Sequence, residues 1–115
     1  GLKVNKLVDI PVGDGYIREL VKGIDNIQMK RCMIKTDNNS LQFVVGDDKL
    51  DNFTFQVMDN AGDTKIPNKI FDADKLSDII KANDYTISIS IADKALIVYG
   101  LGTIKSFYVI SYLME

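Results

Sequence analysis

Asp74-Lys-Leu-Ser-Asp-Ile-Ile-Lys81, Tyr85-Thr-Ile-Ser-Ile-Ser-Ile91, Ala95-Leu-Ile-Val-Tyr99 and Phe107-Tyr-Val-Ile-Ser-Tyr-Leu-Met114 follow one another as one amphipathic segment and three apolar ones. The same order occurs earlier, in Tyr16-Ile-Arg-Glu-Leu-Val-Lys-Gly-Ile24, Cys32-Met-Ile-Lys-Thr-Asp37, Leu41-Gln-Phe-Val-Val45 and Phe53-Thr-Phe-Gln-Val-Met58. Thr36-Asp37 and Ala92-Asp93 occupy corresponding turns about 55 residues apart, beyond the usual period of solenoid repeats. The duplication therefore predicts one pseudo-symmetric domain over residues 13–115, with repeats at 13–66 and 67–115 behind a connector at 1–12.

The strands of the second copy give the sheet its direction. In Tyr85–Ile91 the odd positions are large and apolar and the even ones are Thr or Ser, the period-two pattern of a sheet with one buried face. Ala92-Asp93-Lys94 is short enough for a hairpin, and Gly100-Leu-Gly102 marks the next reversal, so the sheet is largely antiparallel. Phe107–Met114 carries apolar residues on both faces, as a strand does that meets another segment or a partner.

The helices are read from a different period. Ile17, Leu20, Val21 and Ile24 fall at i, i+3, i+4 and i+7 and face the sheet, with Glu19, Lys22 and Asn26 opposite and Arg18 on the flank. Gly23 weakens this helix by about 1 kcal/mol relative to Ala, which tertiary packing has to offset. Asp14 is placed to cap it. In the second helix Leu76, Ile79 and Ile80 form the inward stripe, while Asp74, Ser77, Asp78 and Lys81 face outward and Lys75 sits toward one edge. Asp72 or Asp74 caps its start and Asn83-Asp84 stops it. The fold class is α+β, a duplicated helix-plus-antiparallel-strands unit with both helices on one face of the sheet.

Composition narrows the function classes. A chain of 115 residues buries roughly two thirds of its unfolded surface and needs neither metal nor cross-link to fold. The single cysteine, Cys32, cannot form an internal disulfide and reads as a small core residue, which fits a reducing compartment. No apolar run approaches the roughly 20 residues needed to span a bilayer, and Gly1-Leu2-Lys3-Val4 lacks a signal-peptide stretch. A cytoplasmic, membrane-free protein is expected, which makes the triplets Asn38-Asn-Ser40 and Asn52-Phe-Thr54 chance matches to a glycosylation site.

There is no histidine, so the usual general base, the usual triads and most zinc sites cannot be built. Asp47, Asp48, Asp59 and Asp63 are spaced like no calcium loop and read as solvated acidic turns. Gly13-Asp-Gly15 lacks the spacing and the Lys-Ser/Thr pair of a phosphate loop, and reads as a turn that opens a helix. The expectation is a protein that is not an enzyme, with no cofactor and no metal.

The tandem units, and above all Lys69-Ile-Phe-Asp-Ala-Asp-Lys-Leu-Ser-Asp-Ile-Ile-Lys81 with Tyr85–Ile91, Ala95–Tyr99 and Ser106-Phe-Tyr-Val-Ile-Ser-Tyr-Leu-Met-Glu115, resemble one domain of a DNA sliding clamp. That family comprises the ring-shaped polymerase processivity factors, and the likeness is greatest to the C-terminal domain of the T-even-type bacteriophage clamp. It covers most of the chain and is one of pattern and order, because clamps carry no short diagnostic motif. The last segment lacks the proline-containing ending common in cellular clamps, which favours a phage-like version.

The resemblance implies the DNA-clamp fold, with two antiparallel helices on one side of a continuous sheet. It also implies a homo-oligomeric ring of six such domains, trimeric if the full protomer has two. Such a ring encircles duplex DNA without sequence specificity, is placed there by a clamp loader and tethers DNA polymerase, in the host cytoplasm if viral. Gly1 then reads as a scar of tag removal and Leu2–Val12 as the end of an interdomain connector.

Site residues follow from the same resemblance. Arg18, Lys22, Lys30, Arg31 and Lys81 are the DNA-facing candidates. A chain of net charge −2 would be retained by topology more than by phosphate contacts, and the same residues also read as ordinary solvated helix faces. A partner-peptide pocket is implied at Ile10, Pro11, Val12, Tyr112, Leu113 and Met114, which read equally as core residues of an edge strand. The alternative function is a non-catalytic protein-interaction or assembly module with no link to DNA, because a fold does not dictate an activity.

Overall fold

Ile17, Leu20, Val21 and Ile24 are all buried along α1 (Tyr16–Asn26), so the apolar spacing places the inward face of that helix correctly. In this computed structural model the described residues are 5–10, 16–47, 49, 51–59 and 68–114; Asp14, expected to cap the first helix, lies outside them. The second helix, α2 (Ala73–Ala82), starts where the Asp72 carboxylate accepts a 3.0 Å hydrogen bond from the amide of Asp74. That bond satisfies one of the amides a helix start leaves without an intrahelical partner. At the other end the amide of Asn83 donates to the Ile79 carbonyl at 3.1 Å and that of Tyr85 to the Ile80 carbonyl at 2.9 Å. Asp84 and Tyr85 adopt left-handed φ values of 53° and 63° to make that exit.

Ser77 departs from the expected pattern. Its position on the helical wheel suggests an outward residue, yet it is fully buried, because its hydroxyl donates a 3.0 Å hydrogen bond to the Asp25 carboxylate of the neighbouring helix. Ile79 is half-buried. The contact between helices thus adds Ser77 to the side of α2 that Leu76 and Ile80 bury in the core.

The described residues also form eight strands: β1 (Lys6–Ile10), β2 (Arg31–Asp37), β3 (Ser40–Gly46), β4 (Asn52–Met58), β5 (Lys69–Asp72), β6 (Ile87–Ala92), β7 (Ala95–Gly100) and β8 (Ser106–Ser111). Each repeat thus reads strand, helix, three strands. The sequence pattern announces no leading strand, yet residues 6–10, expected to be part of a connector, and Lys69–Asp72 are both sheet members. β6 starts two residues later than its alternation suggests because Tyr85 is used in the helix exit. β8 ends at Ser111, before Tyr112–Met114.

The leading strands are exchanged between repeats. Antiparallel pairing gives one sheet of order β1-β6-β7-β8 and another of order β4-β3-β2-β5. The first strand of each repeat therefore completes the sheet of the other. Ile10 faces Ile89 and Lys6 faces Ala92 in one sheet, while Cys32 faces Phe71 and Met33 faces Ile70 in the other. These are two sheets and not the continuous one that the clamp resemblance implies. Between β5 and the segment after β8 a single backbone bond is made, from the Leu113 amide to the Ile70 carbonyl at 2.7 Å.

Both helices and the inner faces of both sheets share one core. It contains Ile17, Leu20 and Ile24 from α1, Leu76 and Ile80 from α2, Ile34, Phe43 and Phe71 from one sheet, and Ile89, Leu96 and Ile110 from the other. Phe43 and Phe71 meet edge to face with centroids 5.6 Å apart, a favoured aromatic arrangement. Cys32 is fully buried, and that burial pushes its thiol pKa well up, as expected of a structural cysteine. Among the described residues no helix is long and apolar enough to cross a membrane.

Candidate functional site

Two regions answer to the sequence expectations: the helix pair and the end of the chain. The helix pair is held by polar contacts at both ends. The Asp25 carboxylate accepts from Ser77 and forms an ion pair with the Lys81 ammonium at 2.7 Å. At the other end the Arg18 guanidinium stacks over the Tyr85 ring, 4.1 Å from its centroid. The end of α1 therefore lies beside the second half of α2, and its beginning beside the exit of α2.

These contacts engage most of the basic residues assigned to DNA. Lys81 is paired with Asp25, Arg18 covers Tyr85, and Lys22 is exposed beside Glu19 at 4.0 Å. Lys30 turns back to donate to the Ile24 and Asp25 carbonyls at 2.6 and 3.0 Å, closing the C-terminal end of α1, where a cation is favoured. Arg31 alternates with buried Cys32 on β2 and so projects from the side of its sheet away from the helices. There it lines a cavity with Met33, Val44 and Ile70.

The five residues do not make one patch. Along the two helices Arg18, Lys22, Lys75 and Lys81 are matched by Glu19, Asp25, Asp74 and Asp78, which leaves this face electrically neutral.

The ion pair between helices has a titration signature. Lys81 first, then the Ser77 hydroxyl, holds the Asp25 carboxyl below the usual carboxylate range, and Asp25 in turn raises the Lys81 ammonium. A depressed folded pKa stabilises the fold above the unfolded value of about 3.9, and that contribution is lost as pH falls through the folded pKa. Lys81→Met is expected to move the Asp25 carboxyl back up toward the ordinary range, as read by NMR titration of its side-chain carbon. An unmoved midpoint would show that Lys81 is not its partner in solution.

The end of the chain forms a surface cavity of about 430 Å³. Tyr112, Leu113 and Met114 line one side; Asn68, Lys69 and Ile70 at the start of β5 and Asp93 and Lys94 in the β6–β7 turn supply the rest. The size is within the range of ligand pockets. Tyr112 is anchored by its hydroxyl, which donates to the Ala92 carbonyl at 2.6 Å, and burial, with Asp93 nearby, holds its pKa well above the usual value. Leu113 and Met114 are 45% and 97% exposed, so they are not core residues.

Ile10 does not join them. It is 3% exposed and packs in the main core opposite Ile89, because β1 is a sheet strand and not a free connector. Pro11 and Val12 lie outside the described residues. Reading the sequence missed Asn68, Lys69, Ile70, Asp93 and Lys94 because nothing local announces that β5 and the β6–β7 turn meet at the end of the chain. Comparison of the chain with protein-family models, characterised proteins and solved structures found no match to any of them.

Proposed function

We propose that this chain is a domain of a DNA polymerase processivity factor, a sliding clamp that forms a ring on duplex DNA and tethers the polymerase without chemistry of its own. The observation that carries this reading is the exchanged duplication: two strand-helix-three-strand units, each lending its first strand to the other's sheet. The two helices lie side by side, and because the segment after β8 bonds to β5, β4 and β1 are the outer strands at the far ends of the two sheets. Outer strands carry backbone groups that a neighbouring domain satisfies by pairing, which suits assembly into a ring. Retention would be topological, so a neutral helix face is compatible with it.

The test is primer extension with the complete ring, its polymerase and its loader on primed circular DNA. Longer products per binding event are expected, and no gain in product length would overturn the reading. Lys22→Glu reports on the helix face without disturbing Arg18 on Tyr85. It should change stability by no more than about 0.5 kcal/mol while making loading more sensitive to salt. Loading equal to wild type across a salt titration would remove helix α1 from the DNA side.

A second reading, a protein-interaction or assembly module with no link to DNA, is favoured by the same neutrality of the helix pair, since a face with equal charges does not gather phosphates. It predicts an unchanged product length together with peptide binding at the terminal cavity.

A further inference from the structure

The two sheets follow the same plan, β1-β6-β7-β8 and β5-β2-β3-β4, but differ on the side turned away from the helices. On β3 and β4 that side carries Gln42 opposite Gln56 and Val44 opposite Thr54. At the corresponding places on β7 and β8 stand Ile97 opposite Val109 and Tyr99 opposite Phe107. An antiparallel sheet with one solvated face alternates apolar with polar residues. The first repeat keeps that alternation and still folds, so the apolar outer residues of β7 and β8 answer to something other than the fold.

Ala92, Ala95 and Ile97 form a small cluster of their own on this side, apart from the main core, with Tyr99 packed on it. Phe107 meets Tyr99 edge to face with centroids 5.5 Å apart and remains 59% exposed; Val109 beside it is 41% exposed. Among the strand residues of this side the charged ones are Lys6 and Asp9, which β1 places opposite Ala92 and Ser90. The Lys6 ammonium lies 4.9 Å from the centroid of the Tyr99 ring, and the Asp9 carboxylate accepts from the Ser90 hydroxyl. One cation and one anion therefore stand three positions apart on a single strand.

We infer that this outer face binds a second copy of the chain, the two sheets packed face to face about a two-fold axis that runs across the strands. That axis lays β8 antiparallel over β8 of the other copy, with Phe107 and Val109 at the contact. It lays β1 over β1 as well, with Lys6 of each copy against Asp9 of the other. Such reciprocity is what a two-fold contact provides, and packed sheets lie about 10 Å apart, close enough for these side chains to meet. A second copy is the occupant the charges select, because a rotation matches each sign to its opposite, whereas a strand of one charge would meet both. The contact uses the face of the sheet and leaves the helix pair and the outer strand edges free, so it does not depend on ring assembly.

Four strands spaced about 4.8 Å apart and roughly 20 Å long make a face of roughly 350 Å². That is less than the roughly 800 Å² each partner gives to a stable complex, so a weak dimer is expected, with Kd on the order of 0.1 mM.

Sedimentation velocity of the full chain, from about tenfold below to about tenfold above that concentration, is the test. The average mass should climb from that of one chain toward that of two. Phe107→Ser should weaken the association roughly tenfold, as loss of a central anchor does, with thermal melts showing the fold intact. Lys6→Glu and Asp9→Lys should each weaken it roughly threefold, and the double variant, in which the signs are exchanged, should associate like the wild type.

A chain that stays monomeric at the highest concentration would overturn the inference. A dimer indifferent to Phe107→Ser would also overturn it, moving the contact to another surface and leaving the ring reading untouched. A double variant no better than the single ones would overturn the two-fold arrangement. A monomer that floats with vesicles of phosphatidylglycerol and phosphatidylcholine, and ceases to in Phe107→Ser, would assign the face to lipid instead.

Discussion

Phe71→Ala is expected to destabilise the protein by about 3–5 kcal/mol, the usual cost of emptying a buried phenylalanine site. Domains of this kind are stable by only about 5–15 kcal/mol, so the variant would lose a large share of its stability, with a fall in Tm on the order of 15 °C. The effect is large because of where the ring lies. Phe71 belongs to the second repeat, yet β5 pairs it with Cys32 of the first and its ring packs on Phe43. Removing it leaves a void at the junction of the exchanged strand with its host sheet.

Phe107→Ala is the control, because Phe107 is 59% exposed on β8, where its ring meets Tyr99 edge to face, and so gives up far less burial than Phe71. Urea unfolding of both variants checks the prediction. Equal losses in the two would mean that β5 is not seated in the first repeat's sheet.

Gly23→Ala is expected to destabilise by about 1 kcal/mol, although Ala is the better helix former by about the same amount. A Cβ at this position would fall 2.1 Å from Cζ of Phe53 and 2.4 and 2.7 Å from two further ring carbons. Phe53 is half-buried on the outer strand β4, so its ring has some room to yield; overpacking costs of about 1–3 kcal/mol set the scale.

The same substitution should change sign once the ring is gone. In a Phe53→Ala background, Gly23→Ala is expected to stabilise by up to about 1 kcal/mol, a coupling of about 2 kcal/mol between two touching residues. The four proteins of the cycle, unfolded in urea, measure it directly. The same sign in both backgrounds would exclude the ring as the reason for glycine at this position.

Residues whose role depends on near neighbours in the chain were legible. The stripe Ile17, Leu20, Val21 and Ile24 and the alternation of Ile87, Ile89 and Ile91 are periodicities of one helix and one strand, and each is buried as its period demands. Asp72 caps α2 and Asn83 ends it. The β2–β3 hairpin was legible only approximately: Thr36 and Asp37, expected in the turn, end β2, and the chain turns through Asn38 and Asn39, both left-handed at φ 48° and 68°, a conformation that asparagine tolerates and two-residue hairpins require. The duplication itself is a pattern along the chain and needs no coordinates.

Tertiary structure alone decided the rest of the fold and most of the candidate site. The exchange of β1 and β5 pairs residues of different repeats, and a strand of four residues such as Lys69–Asp72 carries too short a pattern to name its partner. Ser77 is buried through a bond to Asp25 across 52 positions of sequence. Lys30 was counted as a surface cation until its bonds to the end of α1 accounted for it, and Lys81 until its ion pair with Asp25 did. Tyr112, Leu113 and Met114 are neighbours in the chain, whereas Asn68, Lys69, Asp93 and Lys94 are brought to them only where two sheets and a turn meet. Burial period is a property of one segment and repeats along it; charge pairing and cavity formation depend on which segments are brought together, and that is settled by packing distant surfaces into one core.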